Sequence, residues 1–276
     1  MEKVNCIICN TNNKESLLPY ALKDSNGNKF YLAYCNDCDF SYLDPRPSKK
    51  DISFYYDENY RPYQNRNKNI FTYIYRCSQT ITFYWKRKII RKFSANGKRL
   101  LDIGAGSNNF ITYLSKFNYS CLSYDEFSIC VDYNSLNQIP RKKYDHITLW
   151  HSIEHIHDID ALFKTIVKIS KKSTYLYIAC PNFDAVERNI LNEYWPAYDA
   201  PRHLYHFSFT SMKKLLLKYN YKIISTSIML QDTFFNILLS KNVNIIKKLY
   251  LIIYSIIVII FNKKKSSSTL YICKLN

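Results

Sequence analysis

Leu100-Leu101-Asp102-Ile103-Gly104-Ala105-Gly106-Ser107-Asn108-Asn109-Phe110 constrains this chain more than any other stretch. Its apolar lead-in reads as a buried parallel strand, its two glycines as a tight turn, and the residues after Gly106 as the first turn of a helix. That order makes a cradle for a nucleotide-type ligand. A dinucleotide fingerprint needs a third glycine where this chain has Asn109, and a helix N-terminus free to meet a pyrophosphate. Instead Asp102 ends the strand, where its carboxylate repels a diphosphate but pairs with an ammonium.

Such an ammonium belongs to the amino-acid moiety of S-adenosylmethionine, and Asp102-Ile103-Gly104-Ala105-Gly106 resembles motif I of the class I methyltransferases, usually Asp-x-Gly-x-Gly-x-Gly. The resemblance implies an α/β fold, a Rossmann-like class I methyltransferase sheet flanked by helices, with S-adenosylmethionine held by Asp102, Gly104, Ala105 and Gly106. Asn108 replaces that pattern's third glycine, which asparagine's access to left-handed conformations permits. Tyr119–Asp125 reads as the second strand, and Asp125 lies 19 residues after Gly106, a separation that suits an acid accepting both ribose hydroxyls. An ordinary surface-turn acid is its other reading. Some 18 residues then remain before the strand that begins near Tyr144, and a parallel crossover takes roughly a dozen by itself. The usual second helix and third strand are therefore expected to be shortened.

Tyr144–Trp150 reads as the fourth strand and runs into His151-Ser152-Ile153-Glu154-His155-Ile156-His157-Asp158. Formally, His151-x-x-Glu154-His155 matches the inverted zinc-protease motif, which requires those residues on one helix. The segment also resembles the Glu-His-hydrophobic-x-Asp stretch after strand four of many small-molecule methyltransferases. That resemblance implies that Glu154 and His155 lie beside the cofactor at the C-terminal edge of the sheet; some quinone-precursor methyltransferases use such a pair on a divalent metal. Further on come a helix over 160–170, a fifth strand over 174–180, and a long loop rich in His, Asp, Arg and aromatics, a composition rare in mere connectors. Within it, Asp199-x-Pro-x-His203-Leu-x-His206-Phe-Ser resembles a signature of methyltransferases encoded with bacterial surface-polysaccharide and sugar-modifying enzymes. Thr210-Ser211 is expected to cap a helix to Asn220, and 222–230 to form a sixth strand.

Four of the nine cysteines form two Cys-x2-Cys pairs, Cys6/Cys9 and Cys35/Cys38, with a hairpin signal at Asn26-Gly27-Asn28 between them. Two such turns close a tetrahedral S4 zinc site with no open position, hence a structural one. The pattern favours metal in a reducing compartment over disulfides, so the protein reads as cytoplasmic. Paired Cys-x2-Cys modules, a Pro-x-Pro linker (here Pro45-Arg46-Pro47) and a Tyr-rich segment also occur in the methyltransferase group just named. The expected organisation is a zinc-ribbon-like module over 1–47, a linker and helical lid over 48–95, and a methyltransferase domain over 96–276. The aromatic stretch 54–63 is read either as a seam between module and domain or as a substrate lid. An apolar helix over 245–261 is expected just before the last strand. Its 13-residue apolar core, Leu249–Phe261, is short of the ~20 residues of a membrane span, so it packs against protein or lies on the inner face of a membrane.

The balance of 39 basic against 22 acidic residues suits nucleic acid, anionic headgroups or phosphorylated substrates, although an AT-rich genome yields the same lysine-rich composition. Together these features read as methyl transfer to a sugar hydroxyl or carbon carried on a nucleotide or lipid diphosphate, in polysaccharide biosynthesis. His155, His203 and His206 are the candidate bases, with Asp199 orienting the base or binding a sugar hydroxyl. Two alternatives stand beside it. An RNA methyltransferase would grip phosphates with the ribbon and with a basic, aromatic helix read over 70–93, against which Pro181-Asn182-Phe183 lacks the Pro-Pro-Tyr of base-methylating motifs. A non-catalytic membrane-surface adaptor would keep only the fold.

Overall fold

The structure, a computed structural model, describes residues 1–56, 70–93 and 97–276, with side chains from 79 onward in the middle span. Most of the stretch expected as a lid or seam lies outside the described residues. In chain order the elements are β1 (Lys14–Ser16), β2 (Leu22–Lys23), β3 (Lys29–Phe30), β4 (Leu32–Cys35), β5 (Phe40–Leu43) and α1 (Ile70–Lys92). Next come β6 (Arg99–Ile103), α2 (Asn109–Ser115), β7 (Ser120–Tyr124), β8 (His146–Trp150), α3 (Ile159–Ile169), β9 (Tyr175–Pro181) and α4 (Arg188–Leu191). The chain closes with β10 (Tyr205–His206), α5 (Phe209–Lys218), β11 (Tyr221–Ile228), α6 (Leu230–Leu239), α7 (Ile245–Phe261) and β12 (Ser268–Leu275).

The main sheet runs β11-β12-β9-β8-β6-β7. β6, β8 and β9 are almost wholly buried apolar runs, as helix-covered parallel strands must be. They pair in parallel with one another and, through β6, with β7; β12 alone runs antiparallel to its neighbours β9 and β11. As expected, the crossover after Asp125 is curtailed: its one described element is a 3₁₀ turn, Leu136–Gln138, and β7 is the sheet edge. The chain thus leaves β6 for β7 on one side and returns to β8 on the other. The switch point between β6 and β8 opens a crevice at their carboxyl ends, where open α/β sheets hold ligands.

α3 shows how local sequence builds this frame. Asp158 Oδ1 accepts from Ala161 N at 2.8 Å, and Ile159, Leu162, Phe163, Ile166 and Ile169 form one buried stripe. Two boundaries differ from expectation. The cap of α5 is Ser208, which exchanges hydrogen bonds with Ser211 in a capping box, so the helix starts before Thr210. The strand expected to reach Leu230 stops at Ile228, and Leu230 instead opens α6, a helix that the periodicity does not announce.

The N-terminal residues build a second sheet, β1-β4-β5-β10, whose last strand comes from the loop around residue 205. Tyr205 pairs with Tyr42 and His206 with Ser41, and Leu43 N donates to Leu204 O at 2.9 Å. Phe40 packs on Tyr42, Tyr205 and Phe207 with centroids 5.3 to 6.0 Å apart. Buried Arg46 locks this contact, donating from Nε to Glu2 at 2.8 Å and from Nη1 to the Tyr205 hydroxyl at 2.7 Å. Arg46→Ala removes its hydrogen bonds to the Tyr205 hydroxyl and to Glu2, and should lower the unfolding free energy by about 2 kcal/mol in denaturant melts.

Candidate active site

The glycine turn is held by geometry that tolerates little substitution. Gly104 has φ +76°, and a Cβ there would come within 2.2 Å of Ser152 Cβ, so β6 and the turn after β8 touch backbone to side chain. Gly104 N and Ala105 N both donate to Tyr124 O, at 2.7 and 3.1 Å. Gly106, φ +55°, has open space beside it, and its N–H donates to Asp125 Oδ2 at 2.9 Å. Asn108 adopts φ +61°, the left-handed conformation expected of it, and heads α2. Its Oδ1 is buried without a hydrogen-bond partner, a polar atom aimed at nothing the protein supplies.

Asp102 closes β6 inside the crevice, its Oδ1 accepting from Thr148 Oγ1 at 2.6 Å. Burial pushes its carboxyl up to about 6, against the opposing pull of Thr148 and Lys86. Lys86, on α1, is a site residue that sequence reasoning misses among eleven basic residues between Arg61 and Arg99. Its Nζ lies 4.4 Å from the Trp150 ring centre and 5.1 Å from that of Phe110, and burial lowers it to about 8. A buried carboxylate and a buried cation at one end of the crevice match the two charges of an amino-acid group. At the other end Asp125 accepts from three backbone amides, Gly106, Phe127 and Ser128, so a ribose hydroxyl would share its oxygens with the turn.

Beyond β8 the chain makes a 3₁₀ turn, Ile153–His155, preceded by His151 at φ +52°. His151, Glu154 and His155 therefore do not lie on one helix, and the zinc-protease reading falls. Glu154 is 1% exposed and neither carboxylate oxygen has a hydrogen-bond partner. Its nearest cation is His151, Nδ1 at 3.6 Å, whose Nε2 lies 3.0 Å from Asp232 on α6. Although burial opposes it, Asp232 and Glu154 raise His151 to about 10, so it is a cation at neutral pH. Glu154 in turn stays below the usual carboxylate range despite its burial. His151 and Asp232 carry no motif of their own in these roles; the one available signal is that Asp232 is the only acid between residues 201 and 276.

The polar loop lands on this turn. Leu204 N donates to Glu154 O at 2.8 Å, and a Glu154 oxygen and one ring nitrogen each of His155 and His203 lie within 4.8 Å of one another. A carbonyl only accepts, so His203 Nδ1 carries a proton toward Ala197 O at 2.8 Å, and His155 Nδ1 one toward Arg202 O at 3.0 Å. Both Nε2 atoms are left as lone-pair donors. Tyr56, the last described residue at the start of the aromatic stretch, places its hydroxyl 2.9 Å from His155 Nδ1 and stacks on Phe127 at 4.6 Å. Burial and the neighbouring His203 push His155 down to about 4. Asp199 is taken by Arg202 in a two-pronged pair and lies 3.8 Å from His203 Nε2, beyond a hydrogen bond; the backbone of Ala197, not Asp199, orients that ring. His206 sits in β10, its ring 6.4 Å from His203 and outside the cluster, and burial lowers it to about 3.

The four expected cysteine ligands also converge, Cys6, Cys9, Cys35 and Cys38 lying within 4.8 Å, with the sulfurs of Cys9 and Cys35 3.6 Å apart. Tetrahedral Zn–S bonds of ~2.3 Å call for sulfurs ~3.8 Å apart, which this cluster fits. Burial pushes the Cys6 thiol up to about 12, so a bound cation is what would ionise it.

A switch-point crevice with a glycine turn, an acid at the end of each of its first two strands and polar groups above β8 defines an α/β transferase with an adenosine-bearing cofactor. The chain belongs to the methyltransferase domain family, whose model matches residues 72–226, and it is an S-adenosylmethionine-dependent methyltransferase of class I. Solved structures are similar to it at low identity. Magnesium protoporphyrin IX methyltransferase from Synechocystis PCC 6803 is 12% identical, with 83% of this chain and 100% of that chain covered and a TM-score of 0.51. A SAM-dependent methyltransferase from Archaeoglobus fulgidus is 18% identical over 71% of this chain and 93% of that chain, TM-score 0.48. No curated protein matches. The crevice fits the cofactor on its own evidence: open space beside Gly106 at the turn, an orphaned Asn108 oxygen, and opposed buried charges at Asp102 and Lys86.

Asp102 makes a sharp test. In an unfolded chain an aspartate titrates near ~3.9, whereas here it titrates at about 6, so the fold holds a proton that the unfolded chain has lost in between. That contribution is complete below ~4 and disappears as pH rises through about 6. Asp102→Asn should therefore raise the unfolding free energy at pH 7 by about 2–3 kcal/mol. Calorimetry should show S-adenosylmethionine affinity falling by about 10- to 100-fold in the same variant.

Proposed function

We propose that the acceptor is a hydroxyl or carbon of a sugar carried on a nucleotide or lipid diphosphate, and that the chain acts in the cytoplasm in the building of a surface polysaccharide. The observation that carries this reading is the convergence of Glu154, His155 and His203 above the cofactor crevice, roofed by the loop whose Asp199–Ser208 pattern resembles sugar-modifying methyltransferases. The cofactor supplies an electrophilic methyl on a sulfonium. The protein's share is to position the acceptor and remove its proton. His203 is the base, because its Nε2 is free and its tautomer fixed by Ala197 O, whereas His155, at about 4, takes a proton poorly. Glu154, ionised and without a hydrogen bond of its own, stabilises the imidazolium that forms. The excess of basic over acidic residues suits an anionic diphosphate.

An RNA acceptor is less well supported, since Pro181-Asn182-Phe183 lacks the Pro-Pro-Tyr of base-methylating motifs. We assign Cys6, Cys9, Cys35 and Cys38 to one structural zinc.

His203→Gln should cut kcat by about 10²- to 10⁴-fold while calorimetry shows S-adenosylmethionine affinity unchanged. With pools of nucleotide- and lipid-linked sugars, mass spectrometry should find a methylene added to the sugar; transfer to RNA alone would overturn the proposal. Elemental analysis should find one zinc per chain; Cys38→Ser should lose it, lower Tm by several degrees and reduce kcat, because β5 supports β10.

A further inference from the structure

α6 and α7 pack together as a hairpin just before β12. On α7, Ile246, Tyr250, Ile253, Ile257 and Ile260 recur at alternating steps of four and three, one helical stripe, and each is 49–77% exposed. Leu251, Ser255 and Ile259 form the opposite, buried stripe. α6 adds Phe235, Leu238 and Leu239 to the exposed side, each about half-exposed. An open apolar face this long needs an occupant.

Charge and length identify it. Lysines bracket the stripe, Lys241 and Lys247 at one end and Lys263 and Lys264 at the other, all exposed. The only acidic side chain between 201 and 276, Asp232, is held by His151 at 3.0 Å. A second copy fits poorly: pairing two stripes in either direction sets lysines against lysines with no acid between them. Seventeen residues of helix span about 25 Å, short of the ~30 Å hydrocarbon core, and β12 returns at once to pair with β9. Among the described residues no helix is long and apolar enough to cross a membrane.

We propose that the α6–α7 face is a docking surface for an anionic lipid bilayer, lying in the headgroup plane with its isoleucines in the acyl boundary and its lysines on lipid phosphates. This goes beyond the choice of acceptor and does not depend on it. It also has a consequence for the site: Asp232, in the first turn of α6, pairs with His151, which faces Glu154, so docking sets the crevice beside the lipid surface.

Co-flotation of the full chain with vesicles tests this. The chain should float with vesicles containing phosphatidylglycerol, not with phosphatidylcholine alone, and high salt should release it. Ile253→Asp with Ile257→Asp should reduce the bound fraction about tenfold, with S-adenosylmethionine affinity and circular dichroism unchanged, since both side chains are exposed. Lys247→Glu with Lys263→Glu should do the same. Absence of flotation, or equal flotation of the double isoleucine variant, would overturn the proposal. So would a concentration-dependent dimer in light scattering that this variant abolishes without any vesicle binding.

Discussion

The two-residue pairing of β10 with β5 governs the site. Neither Tyr205 nor His206 has a place in the main sheet; their backbone bonds are satisfied by Tyr42 and Ser41, in a sheet whose β4 ends on Cys35 and whose β5 begins just after Cys38. From that anchor the chain reaches back through Leu204, which bonds to β5 on one side and to the Glu154 carbonyl on the other. The residue next to His203 is therefore tied to β5 of one sheet and to the turn that follows β8 of the other. The cysteine cluster thus bears on where a histidine stands, because the strand it braces is the template for the strand beside that histidine. Buried backbone must be paired, and here the pairing carries positional information from one part of the chain to another.

The crevice is also where the interior departs from a low-energy apolar core. Asp102, Lys86, His151, Glu154 and Asp232 bring five ionisable groups to the carboxyl ends of β6 and β8, and Glu154 finds no hydrogen bond at all. Unpaired buried charge is destabilising by several kcal/mol unless something compensates it. In this chain the compensation is partial: His151 lies at 3.6 Å from Glu154, and Lys86 draws only weakly on Asp102. Polar groups left so incompletely matched are suited to a charged ligand and a transferred proton. Away from the crevice, buried Ser170 and Tyr221 satisfy each other at 2.7 Å.

How far the sequence can be read depends on the range of the interactions. The strand, glycine turn and helix of 100–110 are local, and so is the left-handed Asn108, which its side chain makes easy. The missing crossover comes from counting residues, and the α3 stripe from periodicity. Long-range pairing is invisible. Nothing in Tyr205-His206 announces a strand, since two residues have no period, and nothing in Arg202 says that it would take the carboxylate of Asp199 from His203. Lys86 is hidden by its neighbours: one cation among eleven stands out only once the fold buries it. α6 is lost because its apolar residues run on from a strand of similar composition, with no cap to mark the break.

The position of α6 reflects the same economy of contacts. β11 and β12 are antiparallel neighbours and need only a short turn between them, yet the chain inserts two helices there. Packing alone does not require the insertion, because most of the large side chains on α7 point to solvent rather than to the core. What the insertion does supply is Asp232, the one acid of the last 76 residues, delivered to His151 at the crevice mouth. Together with Glu154, that carboxylate holds His151 protonated against the pull of its burial. The helices that carry the exposed apolar face are thus also the source of a charge on which the interior of the site relies.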